Sequence, residues 1–133
     1  MFQKCKNSKI KGTVGLGSAI EYFTRKNFII SLPLNDSQDY DLIVDDGTKL
    51  QKVQVRTSNA QTKHNTYCVN LRVLGGNATN KSLVRKTGKQ MEYDLLFVLC
   101  GDGSKFLIPK EAFKNNVNCI NVGKKSYSEW SIV

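Results

Sequence analysis

Histidine and closely spaced cysteine are what this sequence has least of. One histidine, His64, and four scattered cysteines (Cys5, Cys68, Cys100 and Cys119) supply no CxxC pair in 133 residues. That argues against zinc and fits reduced, buried thiols in a cytosolic protein. No apolar run approaches the roughly 20 residues needed to span a membrane. The basic start, MFQKCKNSKIKG, is not followed by the apolar stretch of a secretory leader. The expectation is therefore a cytoplasmic, DNA-associated protein, neither secreted nor membrane-bound. Without repeats or a long linker, residues 1–133 are expected to form one domain large enough for its own core.

Acid is absent from one long stretch. Residues 51–90 carry eight basic groups and no carboxylate, whereas residues 31–50 carry five acids and one lysine. Residues 1–30 add six basic groups against one acid, and the whole chain has a net charge of +9. Charge segregated in this way suits a polyanionic partner, with an acidic island left for a divalent cation.

The hydrophobic pattern gives an α/β order. Leu16, Ala19, Ile20 and Phe23 recur at helical spacing, predicting a helix over residues 14–26, its start set back by Gly15 and Gly17. The residues before it, 1–11, read as a poorly ordered basic arm. Residues 28–32 read as a buried strand. Residues 66–73 alternate as a further strand, and residues 94–99 and 105–108 form two more around a Gly-Asp-Gly turn. Pro109 and Glu111 suggest a short helix to residues 113–114, and residues 118–122 suggest an edge strand. Tyr127 and Trp130 are read as core. Residues 75–90, GGNATNKSLVRKTGKQ, read as a basic loop facing phosphates.

Residues 33–58, PLNDSQDYDLIVDDGTKLQKVQVRTS, hold the most informative pattern. Asp46-Gly47 suits a tight hairpin loop. With those two residues as the loop, Asp41 falls opposite Lys52 and shares a face with Lys52, Gln54 and Arg56, while Val53 and Val55 face the other way.

An aspartate, a hairpin, and then an alternating strand ending in acid-x-lysine is the order of the PD-(D/E)xK nuclease superfamily, which this chain resembles. Here the pattern is Asp41, a twelve-residue gap, and Gln54-Val55-Arg56. The resemblance is nearest to small group I intron homing endonucleases, some of which carry glutamine at the second acidic position, and to archaeal-type Holliday junction resolvases. It spans about residues 10–112, including the GxxG opening Gly12–Gly15 and the later DLLFV and FLIPKE segments. It implies a restriction-endonuclease-like α/β core: a mixed central sheet with flanking helices. It also implies a Mg²⁺-dependent (or Mn²⁺-dependent) endodeoxyribonuclease acting on double-stranded or branched DNA as a homodimer or homotetramer. A Holliday junction resolvase, or a DNA-binding relative with weak or lost cleavage, is the alternative.

By the same resemblance Asp41, Gln54 and Arg56 are the candidate catalytic residues, and Asp41, Gln54 and the Val55 carbonyl the candidate metal ligands. Glu21, at the border of the helix's apolar stripe, is a further catalytic candidate from its place on the helix, with a surface position beside Arg25 as the alternative. Lys52, Arg72, Lys81, Arg85, Lys86 and Lys89 are the candidate DNA contacts. Two departures stand out: arginine occupies the lysine position, and the first turn after Gly12–Gly15 lacks the glutamate many relatives place there. Guanidinium cannot serve as a base, but it can hold a phosphate oxygen.

Overall fold

The computed structural model describes residues 2, 4–71, 73–74, 84–86, 91–114 and 117–133, with backbone alone at 73–74 and 84–86. One helix, α1 (Ser8–Arg25), lies against a mixed sheet. Its N-terminus is fixed by Asn7, whose side-chain oxygen accepts the Ile10 N–H at 3.0 Å and so satisfies an otherwise unpaired donor. The helix thus begins six residues before the expected position and takes in Ser8–Lys11 of the supposed arm. Of the two glycines expected to delay it, Gly15 has a packing role and Gly17 faces open space. A Cβ on Gly15 would stand 2.6 Å from Thr57 Cγ2 and 3.2 Å from Val55 Cγ1. Close approach of helix and strand outweighs the helix propensity lost at that position.

The sheet takes the order β1 (Ile29–Ser31), β2 (Leu42–Asp45), β3 (Leu50–Ser58), β7 (Leu95–Cys100), β8 (Lys105–Pro109), β10 (Ser131–Ile132). Strands β3 and β7 run parallel and the remaining neighbours antiparallel, which makes the expected mixed sheet. Two-stranded ribbons join β4 (Tyr67–Asn70) to β9 (Cys119–Val122), and β5 (Val73–Leu74) to β6 (Val84–Lys86). The strand expected over residues 66–73 is therefore two short strands in different ribbons, and part of the expected 75–90 loop is strand. The edge strand at 118–122 pairs with β4 instead of extending the main sheet, and the strand expected to be buried at 28–32 is the exposed edge strand β1. The short helix after Pro109 is a single 3-10 turn, Lys110–Ala112.

Alternation along β3 and β7 divides the core in two. Val53, Val55, Phe97 and Leu99 pack under α1 with Ala19 and Phe23. Leu96, Val98 and Cys100 face the other way, toward Tyr67, Val69, Leu71, Met91 and Tyr93. Tyr127 and Trp130 are half-buried against this second cluster, as expected. Among the described residues no helix is long and apolar enough to cross a membrane.

The hairpin differs from its expected register by two residues. Asp45 pairs with Leu50 and Ile43 with Lys52, so four residues, 46–49, form the loop. Asp46 makes that wider loop stable: its Oδ1 accepts the N–H groups of Thr48 and Lys49 and the Thr48 hydroxyl, at 2.7–2.9 Å. Gly47 supplies the positive φ of 94°. Because side chains alternate with period two, a slip of two keeps every residue on its expected face. Asp41 therefore comes beside Gln54, not Lys52.

Candidate active site

Strand β2 ends before β3 does. The last backbone link from that side is Asp41 N–H to the Val53 carbonyl, at 2.8 Å. Past it, Asp41 continues the ladder with its side chain: Oδ2 accepts the Val55 N–H at 2.8 Å and Gln54 Nε2 at 2.9 Å. Gln54 Nε2 also donates to the Val55 carbonyl, at 3.2 Å. In a strand, the N–H and C=O of one residue point to the same side. The Val55 carbonyl therefore opens toward Asp41 and away from β7. Three oxygen-bearing groups, the Asp41 carboxylate, the Gln54 amide and the Val55 carbonyl, meet at this open edge.

Gln54 is buried despite its polarity, at 7 % exposure, and these two bonds compensate for its lost hydration. Burial pushes the Asp41 carboxyl above its ordinary value; the Val55 N–H and the Arg56 guanidinium pull it back toward the charged form. Arg56 is half-buried and projects from the same face of β3 as Gln54. Its Nε is fully buried and has no hydrogen-bond partner among the described residues. Beside it lies a cleft of about 300 Å³ lined by Ser8 and Gly12 of α1, Val55, Arg56, Thr57 and Asn70. A larger cavity of about 550 Å³, between Gln61, Tyr67, Asp102 and Lys124, shares none of the Asp41–Arg56 groups.

The structure brings Asp41, Gln54, Val55 and Arg56 together and leaves Glu21 apart. Glu21 is exposed on α1, ion-paired with Arg25 one turn on, and α1 packs on the opposite side of the sheet from Gln54. Lys52 is exposed near the start of β3, its ammonium 5.4 Å from the Tyr40 ring centroid. Arg72, Lys81 and Lys89 lie outside the described residues. Arg85 and Lys86 fall in β6, described by backbone alone.

Two residues of this region escaped the sequence reading. Tyr93 is 2 % exposed and its hydroxyl has no hydrogen-bond partner among the described residues. Burial pushes that hydroxyl up to about 12, with Arg56 acting to lower it and Asp39 to raise it, so all three share one electrostatic neighbourhood. Asp39 itself accepts the Glu92 N–H on Oδ2 at 2.9 Å. An aromatic residue just before a strand reads as ordinary core, and no spacing signal distinguishes one whose hydroxyl is left over.

No group of three His, Cys, Asp or Glu side chains that could hold a metal occurs among the described residues. The oxygens around Asp41 still suit a hard divalent cation, which accepts amide and backbone carbonyls beside a carboxylate and retains several waters. The Gln54 Nε2 donates to the two oxygens, Asp41 Oδ2 and Val55 O, that such a cation would draw on. Rotating the amide by half a turn would present its oxygen instead.

No curated protein sequence matches the chain. Among solved structures it is similar to a bacterial homing endonuclease, I-Ssp6803I, at 24 % identity, with 90 % of this chain and 80 % of that chain covered and a TM-score of 0.72. The sequence profile of the PD-(D/E)XK endonucleases matches residues 6–129, nearly the whole length, over a sheet that sets Asp41 beside Gln54-Val55-Arg56. The chain belongs to the PD-(D/E)XK endonuclease family.

Proposed function

We propose that this protein is a divalent-metal-dependent DNA endonuclease, Mg²⁺ or Mn²⁺ serving as cofactor, of the homing-endonuclease kind. The observation that carries the reading is the meeting of Asp41, Gln54 and the Val55 carbonyl at the open edge of β3, with Arg56 next along the strand. A cation bound there would polarise the phosphodiester and supply a nucleophilic water. Asp41 would hold the cation by its carboxylate, Gln54 and Val55 by neutral oxygens. One negative charge in that set gives weaker cation affinity than two. Arg56 would place guanidinium N–H donors on a phosphate oxygen as negative charge builds there. The net charge of +9 draws the polyanion in.

Cutting both strands of a duplex calls for two such sites, and we propose a homodimer or homotetramer. Exposed Ile29, Leu32 and Leu34, on and after edge strand β1, support a self-association surface. A DNA-associated, cytoplasmic protein is the accompanying expectation.

A second reading, DNA binding with weak cleavage, draws on arginine at the lysine position and on Glu21 held away by Arg25. Purified protein incubated with supercoiled plasmid and with a four-way junction, in Mg²⁺, Mn²⁺ or EDTA, separates the two. Cation-dependent nicking or linearisation is expected. Binding without a cut under every condition would leave only the second reading, and preferential cutting of the junction would indicate resolution.

A further inference from the structure

The two glycines of the Gly12–Gly15 opening have opposite surroundings. A side chain at Gly15 would collide with Thr57 and Val55, whereas nothing lies within 4 Å of the place a Cβ on Gly12 would take. Gly12 and Ser8 precede Gly15 at helical spacing, on the face of α1 that meets the sheet through Gly15, Ala19 and Phe23. That face thus ends in two positions with little or no side chain. The space beside them is the cleft of about 300 Å³ that Arg56, Val55, Thr57 and Asn70 also line.

The lining favours an anion. Among the described residues no carboxylate lines the cleft, and Arg56 brings a permanent positive charge to it. Ser8 is the first residue of α1, where backbone N–H groups and the helix dipole attract negative charge. The first turn holds no acidic residue, and Lys9 and Lys11 stand in the sequence beside Ser8 and Gly12. The cleft is also continuous with the candidate site, because it shares Val55 and Arg56 with the edge where Asp41 and Gln54 meet. A nucleic-acid strand presenting one phosphate at that edge carries its next phosphate close by.

We infer that the cleft between the first turn of α1 and Arg56 seats a second phosphate of the substrate strand, the neighbour of the one presented to Asp41. Ser8 supplies a hydroxyl donor there, and Gly12 keeps the seat open by having no side chain. That the phosphate belongs to a strand being cut rests on the endonuclease reading; the anion seat does not.

A matched pair of variants tests this. Gly17 is exposed and as unobstructed as Gly12, but it lies about 140° round the helix from it and lines no part of the cleft. Gly12→Gln and Gly17→Gln gain the same helix propensity, so the melting temperature of each should hold or rise. Affinity for a labelled duplex is read by fluorescence anisotropy in EDTA, so no strand is cut. Gly12→Gln is expected to bind about tenfold more weakly than Gly17→Gln, as for lost hydrogen bonds to a charged group, and Gly17→Gln to match wild type. Ser8→Ala, which leaves the Asn7 cap in place, should also bind more weakly than wild type, by a smaller factor. Equal affinities in the two glutamine variants overturn the inference, as does a wild type that binds no duplex. Should Gly12→Gln melt below Gly17→Gln, Ser8→Ala decides, and wild-type affinity in that variant overturns the inference. A wild type that never cuts DNA, with affinity lost in Gly12→Gln, removes the endonuclease reading and leaves the phosphate seat standing. A wild type that cuts, with Gly12→Gln binding and cutting as Gly17→Gln does, removes the seat and leaves the endonuclease.

Discussion

The two faces of β3 are built to different ends. Toward α1, Val53 and Val55 meet Ala19, Phe23 and Phe97, and a glycine lets the helix come close enough that a methyl group would not fit. On the other face Gln54 is buried, Asp41 stands in for a missing strand, and a guanidinium nitrogen and a phenol go unpaired among the described residues. One face satisfies its groups within the fold; the other retains hydrogen-bonding capacity that the fold does not use. Stability should therefore depend mainly on the first face and activity on the second, although adjacent residues of one strand supply both.

The largest effect should come from damage to the helix side. Phe97 is fully buried and its ring lies 6.0 Å from Tyr22 and 6.4 Å from Phe23 between centroids. Phe97→Ala should cost about 3–5 kcal/mol of stability, through lost burial and the cavity left behind. Urea unfolding checks it; a loss below about 1 kcal/mol would show that this face does not carry the fold.

On the other face, Arg56→Lys keeps the charge but has no donor at the Nε position. If the site is arranged around arginine, cleavage should fall on the order of 10²-fold, the scale of losing one well-placed stabilising donor. Duplex affinity should hardly change, and Arg56→Ala should cut less still. A faster Arg56→Lys enzyme would mark the chain as a weakened relative of a lysine-using nuclease.

The smallest effect should come from the hairpin tip, which belongs to neither face. Hydrogen bonding, first from the Thr48 hydroxyl and then from the Thr48 and Lys49 N–H groups, lowers the Asp46 carboxyl to about 2. A carboxyl lowered on folding stabilises the fold above its ordinary value and loses that contribution as pH falls through the folded one. The stability difference between wild type and Asp46→Ala should therefore be present at neutral pH and shrink between about pH 4 and pH 2. A difference independent of pH would assign the turn's strength to Gly47 instead.

Much of the fold was legible because alternation survives small errors. The Asp-Gly turn marked the hairpin, and although the loop proved two residues longer, Asp41, Gln54 and Arg56 kept their common face. What was misread depended on tertiary contact. Gly15 weakens the helix locally but lets it seat against β3, and Asn7 caps the helix well before its apolar stripe begins. Glu21 sat at the edge of the predicted stripe, but Gly15, Ala19 and Phe23 are the residues that meet the sheet, which turns Glu21 outward to Arg25. Tyr93 carried no signal at all, because an unsatisfied hydroxyl is a property of its surroundings.

Asp41 ties the two faces together, since it closes the ladder on β3 and also presents the site's carboxylate. Asp41→Asn retains an oxygen for the Val55 N–H and removes a charge that burial disfavours. Nicking of supercoiled plasmid in Mg²⁺ and in Mn²⁺, measured beside duplex affinity and melting temperature, is therefore the most direct trial. The expected result is cleavage by wild type, none by Asp41→Asn, undiminished affinity, and a melting temperature equal to or above that of wild type. An Asp41→Asn protein that nicks as fast as wild type would contradict the assignment of this open edge as the site of cleavage.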